Sequence, residues 1–179
     1  MKVREARRED VEAIAEVHVA SWRTTYRGIV PDAYLDGLSV DRRAEMWRGE
    51  VVSRPQTGGI FVAETDAGQV IGFSSCGPNR DADPDYDGEL FAIYLLQPYQ
   101  GRGLGGRLMQ VAVRRLVDRG FRSMMLWALA ANPASGFYAA LGGQALRTKL
   151  VEIGGVPLEE IAFGWPDLGL FSSSSSFSS

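Results

Sequence analysis

A glycine-rich segment past the middle of the chain has the residue types and spacing that bind phosphate groups. Residues 100–106 read Gln-Gly-Arg-Gly-Leu-Gly-Gly and follow an almost continuous apolar run over residues 89–96. Four glycines within residues 101–106 let the backbone approach a ligand closely. A helix predicted from residue 103 would direct the unpaired amides of its first turn at an anion, which the helix dipole also favours. The segment therefore predicts a phosphate or pyrophosphate site, with a plain strand-to-helix turn as the alternative.

Two other phosphate-binding motifs fit this segment less well. A P-loop requires Lys and then Ser or Thr after its last glycine, whereas Arg107 stands here. Gly101, Gly103 and Gly106 match the dinucleotide-binding pattern GxGxxG literally. That pattern also requires an acidic residue about 20 positions further on, and residues 124–127 read Met-Met-Leu-Trp. A nucleotide-binding oxidoreductase is therefore the weaker interpretation.

Length and composition limit the class of protein. The chain has 179 residues, a net charge of −3, one cysteine (Cys76) and one histidine (His18). One domain accounts for this length, and the acidic balance argues against nucleic acid or an anionic membrane as a partner. One cysteine forms no disulfide within the chain, and a structural zinc site of the usual kind lacks its ligands. Because the sequence shows neither a signal peptide nor an apolar run of membrane-spanning length, we expect a cytoplasmic protein without a metal.

The elements that must position the glycine-rich segment follow from apolar periodicity, caps and turn residues. Strands come first as a meander and then alternate with helices, which argues for a mixed sheet covered by helices. The predicted fold class is α/β, of the α+β type: one domain over residues 1–166 with a mixed, mostly antiparallel sheet of about seven strands flanked by helices. Residues 167–179 are rich in serine and are predicted to be a disordered tail. The predicted strands are residues 2–6, 59–64, 70–76, 89–96, 123–129, 144–153 and 156–163, and the predicted helices are 8–22, 31–37, 39–52, 103–119 and 133–141.

Two segments resemble the GCN5-related N-acetyltransferase (GNAT) superfamily. Residues 93–105 read Ile-Tyr-Leu-Leu-Gln-Pro-Tyr-Gln-Gly-Arg-Gly-Leu-Gly and are similar to the family's fourth strand and acyl-CoA pyrophosphate loop. Residues 132–143 read Asn-Pro-Ala-Ser-Gly-Phe-Tyr-Ala-Ala-Leu-Gly-Gly and are similar to its later asparagine and tyrosine segment. The order of strands and helices agrees with the family's over residues 2–165. One departure is Gly143, where the family more often has Phe, so we expect some loss of local packing.

The resemblance implies an enzyme, an N-acetyltransferase that moves acetyl from acetyl-CoA directly to a primary amine of a small molecule or peptide in a ternary complex. It implies that Tyr138 protonates the departing CoA thiolate and that Asn132 bonds CoA. A non-catalytic acyl-CoA-binding or sensor domain on the same fold is the alternative, and the presence of both residues favours the enzyme. A homodimer follows from analogy alone. Besides Asn132 and Tyr138, the implied CoA-binding positions are Ile93, Tyr94, Leu95, Gln100, Gly101, Arg102, Gly103, Leu104, Gly105 and Gly106.

The acceptor amine needs a base and a pocket. Glu89 lies 11 residues before Gln100, a spacing similar to that of the catalytic glutamate in the histone-acetylating branch of the family. A solvated strand end and a proton relay through ordered water are the alternatives. Trp22 and Tyr26 lie where the family has the wall of its acceptor pocket, and their rings suit a cation; packing of the helix on the sheet is the alternative. His18 falls on the apolar face of its helix and is expected to be packed and hydrogen-bonded rather than to act as a base.

Overall fold

A computed structural model describes residues 1–173 of the chain. The strands are β1 (Lys2–Glu5), β2 (Gly59–Glu64), β3 (Val70–Pro78), β4 (Gly88–Leu95), β5 (Met124–Leu129), β6 (Gln144–Ile153) and β7 (Val156–Trp165). The helices are α1 (Val11–Thr25), α2 (Asp32–Asp36), α3 (Val40–Ser53), α4 (Leu104–Asp118), α5 (Ser135–Ala140) and α6 (Leu168–Ser173). Among these residues, no helix is both long enough and apolar enough to cross a membrane.

The seven strands form one sheet in the order β1-β2-β3-β4-β5-β7-β6. Every neighbouring pair is antiparallel except β4 and β5, which are parallel because α4 crosses between them. The predicted mixed, mostly antiparallel sheet is therefore confirmed. The β4–β5 ladder contains only two pairs, Gly88 opposite Met124 and Glu89 opposite Met125. Beyond these pairs the two strands diverge, and the sheet opens between them.

A β-bulge in β4 lies next to this opening. Ser75 of β3 is opposite Ala92, whereas Cys76 is opposite Leu90, so Phe91 is an extra residue on β4. The bulge shifts the alternation of side chains by one position. Leu90 therefore packs on the α4 side of the sheet, and Ala92 packs on the side of α1 and α3. The sequence predicts a strand over residues 89–96 and gives no sign of the bulge.

Two layers of helices cover the sheet. The apolar face of α4 packs on one side of the sheet, where Leu108 and Leu116 are fully buried. On the other side α1 and α3 pack together on β2 and β3, with Ile14, Trp47 and Phe73 in the shared core. The buried residues of α1 and α4 recur at helical spacing, so each helix presents one largely apolar face to the sheet.

The C-terminal part differs from the sequence prediction in two places. Residues 168–173 form α6 where a disordered tail is predicted from residue 167, because Leu168 inserts fully buried into the core beside α4; residues 174–179 lie outside the described part of the chain. Gly143 does not leave a packing gap. A Cβ there would lie 2.7 Å from the ring of Trp165, so the tryptophan occupies the space.

Candidate active site

The divergence of β4 from β5 creates a cleft of about 580 Å³ that passes into the sheet. Its walls are the C-terminal half of β4, the glycine-rich segment before α4, the middle of β5, the segment that leads into α5, and the end of α1. The two segments that resemble the GNAT family are therefore brought to one cavity, although about 30 residues separate them in the chain.

The glycine-rich segment presents free backbone amides at one end of the cleft. Gly101 and Gly103 have φ values of +70° and +75°, the left-handed region that favours glycine. The amide of Arg107 donates to the carbonyl of Gly103, so the amides of residues 104–106 have no partner within the helix. A Cβ at Gly106 would meet no atom within 4 Å, whereas one at Gly105 would lie 3.3 Å from the Phe137 ring. The first turn of α4 is therefore open to an anion, and Gly105 permits the close approach of α5.

The backbone of β4 supplies a second set of free groups. The amide of Leu96 donates to the carbonyl of Ile71 in β3 at 2.9 Å. Because the amides of consecutive residues in a strand point to opposite sides, those of Ile93 and Leu95 point away from β3, toward the space left by β5. Gln100 donates from Nε2 to the Leu95 carbonyl at 2.9 Å, which ties the glycine-rich segment to the end of β4.

Asn132 joins α5 to α1 across the cleft. Its Nδ2 donates to the Tyr26 hydroxyl at 3.0 Å, and its Oδ1 accepts from the Ala134 amide at 2.9 Å. Both Asn132 and Tyr26 are buried, and burial raises the pKa of Tyr26 above its usual range. The side chain thus orders the turn that leads into α5, as a cap residue does, and also lines the cleft.

Tyr138 lies on α5, where its side chain is buried in the core and also lines the cleft. It is 6% exposed and packs against Phe137 and Phe163, with ring centroids 5.4 and 5.5 Å away. Its hydroxyl makes no hydrogen bond within residues 1–173. Burial, and to a smaller extent nearby Tyr94, raise the pKa of Tyr138 above its usual range. The phenol is therefore protonated at neutral pH.

Other predicted site residues lie outside this cleft. Arg102 is exposed and lies over the Tyr99 ring at 5.7 Å, and the Leu104 side chain is buried in the core. Trp22 packs edge-on against Tyr26 with the centroids 4.9 Å apart. It donates from Nε1 to the Tyr94 hydroxyl at 2.9 Å. Of these three residues, only Leu104 is placed to meet a ligand in the cleft, through its backbone amide. Trp22 packs behind the tyrosine wall and lines a neighbouring cavity.

Glu89 is buried at the start of β4, on the two-pair ladder with β5, and does not line the cleft. Its carboxylate accepts from the backbone amide of Arg80 at 3.0 Å and from Nε and Nη2 of the same residue. The solvated strand end considered from the sequence is not what the structure shows. The carboxylate is held by an arginine, so it can take a proton from a ligand only if Arg80 moves.

Neither the histidine nor the cysteine is placed to act on a substrate as a nucleophile. His18 is buried, its Nδ1 accepts from Trp47 Nε1 at 3.1 Å, and burial lowers its pKa to about 3. The Cys76 thiol donates to the Ala112 carbonyl, and burial raises its pKa to about 12. Within the described chain no group of three or more His, Cys, Asp and Glu side chains is close enough to hold a metal ion.

Several residues that line the cleft are not among the predicted site residues, and three of them, Ser21, Thr25 and Trp127, carry a hydroxyl or an indole ring. Ser21 is 3% exposed, and its hydroxyl has no hydrogen-bond partner in the described residues. A buried hydroxyl without a partner costs free energy, so a polar ligand group in the cleft would satisfy it. The only signal in the sequence was the position of Ser21 one residue before Trp22, which places it on a different face of α1.

Comparison with known sequences identifies the family. The sequence model of the Acetyltransferase (GNAT) family matches residues 11–142. An uncharacterized N-acetyltransferase of Bacillus subtilis (strain 168), YuaI, is 43% identical over 166 residues, which cover 93% of each chain. An uncharacterized N-acetyltransferase of Archaeoglobus fulgidus is 30% identical over 143 residues, which cover 78% of this chain and 90% of the relative.

Solved structures share the fold. A GNAT superfamily phosphinothricin acetyltransferase of Sinorhizobium meliloti, solved in complex with acetyl-CoA, has a TM-score of 0.69 at 25% identity, with 93% of this chain and 88% of that chain covered. The PaiA N-acetyltransferase of Thermoplasma acidophilum, solved with coenzyme A, has a TM-score of 0.69 at 21% identity, with 89% and 96% covered. The cleft, the sequence match and the shared fold lead to the same conclusion: this chain belongs to the GNAT acetyltransferase family and is an acetyltransferase.

Proposed function

We propose that the chain transfers acetyl from acetyl-CoA to a primary amine of a small molecule or peptide, directly and within a ternary complex. The observation that carries this proposal is the composition of one cleft. Free amides of the first turn of α4, free amides of β4 and the protonated phenol of Tyr138 all face the same 580 Å³. These are the groups needed to hold a phosphate-bearing thioester, to polarise its carbonyl and to protonate its sulfur.

The residues present fit acetyl-CoA. The amides of residues 104–106 and the open space at Gly101, Gly103 and Gly106 suit the pyrophosphate, since nothing lies within 4 Å of a Cβ built at these glycines. The amides of Ile93 and Leu95 suit the pantetheine arm and the thioester carbonyl. Bound acetyl-CoA would supply an activated acetyl group at the open end of β4. The chain's contribution is to orient that group toward the acceptor amine.

Direct transfer is supported by the absence of a usable thiol in the described part of the molecule. Cys76, the one cysteine of the sequence, is fully buried in β3, and burial raises its pKa to about 12. It therefore has neither the access nor the thiolate fraction that a covalent carrier needs at neutral pH. Tyr138 is the residue we assign to protonation of the sulfur, because it lines the cleft and its hydroxyl has no hydrogen-bond partner in the described residues, while burial keeps the phenol protonated at neutral pH.

For the amine proton we propose a relay through water in the cleft rather than transfer to Glu89. The Glu89 carboxylate is engaged by three groups of Arg80 and lies outside the cleft lining. A general base must come within hydrogen-bond reach of the proton it removes. On the acceptor side we propose that Tyr26 forms the wall of the cleft and that Trp22 holds the neighbouring Tyr94 in place.

The test is a thiol-release assay with acetyl-CoA and a panel of primary amines, together with calorimetric binding of acetyl-CoA. Tyr138→Phe keeps the ring packing and removes only the hydroxyl. We expect kcat to fall by about 10- to 1,000-fold, with acetyl-CoA affinity unchanged. Tyr86→Phe is the matched control, because Tyr86 is equally buried (7% exposed) and lines neither cavity.

Two outcomes would contradict the proposal. Tight acetyl-CoA binding with no thiol release for any amine would favour the non-catalytic sensor. Two results would contradict direct transfer. One is parallel lines in double-reciprocal plots of initial rate against amine at several acetyl-CoA concentrations. The other is a protein that becomes acetylated, as seen by intact mass spectrometry, when it is incubated with acetyl-CoA and no amine.

Two further proposals concern location and assembly. We propose a cytoplasmic location, which agrees with a single buried cysteine that forms no disulfide. We also propose a homodimer. We test this at the sheet edge formed by β6, because within the described residues β6 pairs with β7 alone and Leu150 is 73% exposed there. Light scattering with Leu150→Lys should show a shift from dimer to monomer.

A further inference from the structure

A second cavity, of about 330 Å³, lies between α1, α3 and the bulged part of β4. It adjoins the main cleft, because Phe91, Ala92 and Tyr94 line both. An acceptor seated in this cavity would therefore have one end beside the segment of β4 whose amides face the thioester site. Apart from Tyr94, none of the residues that line this second cavity belongs to the proposed acetyl-CoA site.

Three arginines from distant parts of the chain meet at this cavity: Arg43 on α3, Arg54 after α3, and Arg80 after β3. The guanidinium carbons of Arg54 and Arg80 lie over the Phe91 ring, 4.4 and 4.8 Å from its centroid. Both guanidinium groups are thus held at the edge of the cavity, where their N–H groups can meet an anion. The bulge that brings Phe91 between the two cavities thus also gathers the cations.

Two carboxylates nearby neutralise two of these three positive charges and leave the third. Glu50 pairs with Arg54, and Glu89 pairs with Arg80. Arg43 has no carboxylate partner among the described residues, and the one hydrogen bond of its side chain there is to the Met46 sulfur at 3.9 Å. The cavity therefore has one positive charge in excess, within a chain whose net charge is −3.

Unused donors point to the same ligand chemistry. The Nε of Arg54 is buried and has no hydrogen-bond partner in residues 1–173. His18 lines the cavity, and because its Nδ1 accepts from Trp47, its Nε2 carries the proton. No acceptor for that proton is present in the described chain. Donors without acceptors, beside an unpaired cation, are the groups that a carboxylate or phosphonate satisfies.

We propose that this second cavity binds the anionic group of the acceptor, so that the substrate class is an amine carrying a carboxylate or phosphonate. This inference rests on the proposed amine acetylation. Arg43 supplies the unpaired charge, Arg54 and His18 supply unpaired N–H donors, and Arg80 completes the positive wall. The amine end then lies at β4, in front of the proposed thioester position.

The experiment compares matched amines. β-Alanine, 4-aminobutyrate, 6-aminohexanoate and 3-aminopropylphosphonate are each assayed beside the amino alcohol and the diamine of similar length. We expect the acids to have at least about tenfold higher kcat/KM than their neutral and cationic analogues, as charge-assisted hydrogen bonds imply. Arg43→Gln should raise KM for the acids by about tenfold, leave kcat nearly unchanged and not alter the neutral amines. Arg43→Glu should reverse the preference in favour of the diamines.

Arg42→Gln is the control, since Arg42 is the neighbouring exposed arginine on α3 and lines neither cavity. Calorimetric titration of 4-aminobutyrate and 1,4-diaminobutane into CoA-saturated protein reports the same preference without turnover. Acetylation of neutral amines with no preference for acids would overturn this inference and leave the proposed function standing. Absence of acetylation with every amine would contradict the proposed function, and the titration would then decide the anion site by itself.

Discussion

The single histidine makes the stability of this protein dependent on pH in a window where almost nothing else titrates. His18 is neutral in the folded state, and burial, with a smaller contribution from Arg43, lowers its pKa to about 3. In the unfolded chain its pKa returns to about 6.5. Between these two values the unfolded state binds a proton at His18 that the folded state does not bind, so the free energy of unfolding falls as pH falls.

The size of the effect follows from the two pKa values. Each pH unit well below 6.5 lowers the free energy of unfolding by about 1.4 kcal/mol. The accumulated loss is about 0.8 kcal/mol at pH 6 and about 2 kcal/mol at pH 5. Protonation would also abolish the bond in which Nδ1 accepts from Trp47. Below about pH 5 the carboxylates add their own dependence, which sets the lower end of the useful window.

Urea unfolding at pH 7, 6 and 5 measures this dependence. In His18→Gln the decrease in the free energy of unfolding between pH 7 and pH 5 should be less than about 0.5 kcal/mol, although the variant is less stable at every pH. Because the chain has one histidine, its single imidazole resonance gives an independent reading and should not titrate above pH 4. Equal unfolding free energies at pH 7 and pH 5 in the parent, or an imidazole that titrates near 6.5, would refute the reasoning.

Three further predictions concern the site. Gly106→Glu should weaken acetyl-CoA binding at least about tenfold by placing a carboxylate at the anion-binding turn; Gly49→Glu, also helical with nothing within 4 Å of its Cβ, should not. Glu89→Gln should lower the acetylation rate by less than about fivefold if water accepts the amine proton, whereas a fall of 10²–10⁴-fold would restore Glu89 as the base. Tyr26→Phe removes the hydroxyl that accepts from buried Asn132, so urea unfolding should show a loss of about 1–3 kcal/mol; unchanged stability would mean that the bond contributes nothing.

The sequence by itself determined the local features of this protein. Glycine at positions 101 and 103 is required by positive φ values, and the run of unpaired amides follows from any helix that begins there. The predicted order of strands and helices holds as far as β7, because apolar periodicity reports which face of each element is buried. Asn132 and Tyr138 line the cleft, and the packed, hydrogen-bonded His18 is confirmed.

Tertiary structure decided the features that depend on contacts between distant residues. The bulge at Phe91 arises from the register of β3 against β4. A continuous apolar run has the same sequence pattern whether or not the strand contains a bulge, so the sequence does not predict it. Glu89 is buried against Arg80 rather than solvated, since a loop nine residues earlier folds back over it. The meeting of Arg43, Arg54 and Arg80 at one cavity has no sequence signal, because their spacing along the chain follows no helix or strand period. Charge and donor placement in a site are properties of non-local packing, so only the folded chain brings these groups to one ligand.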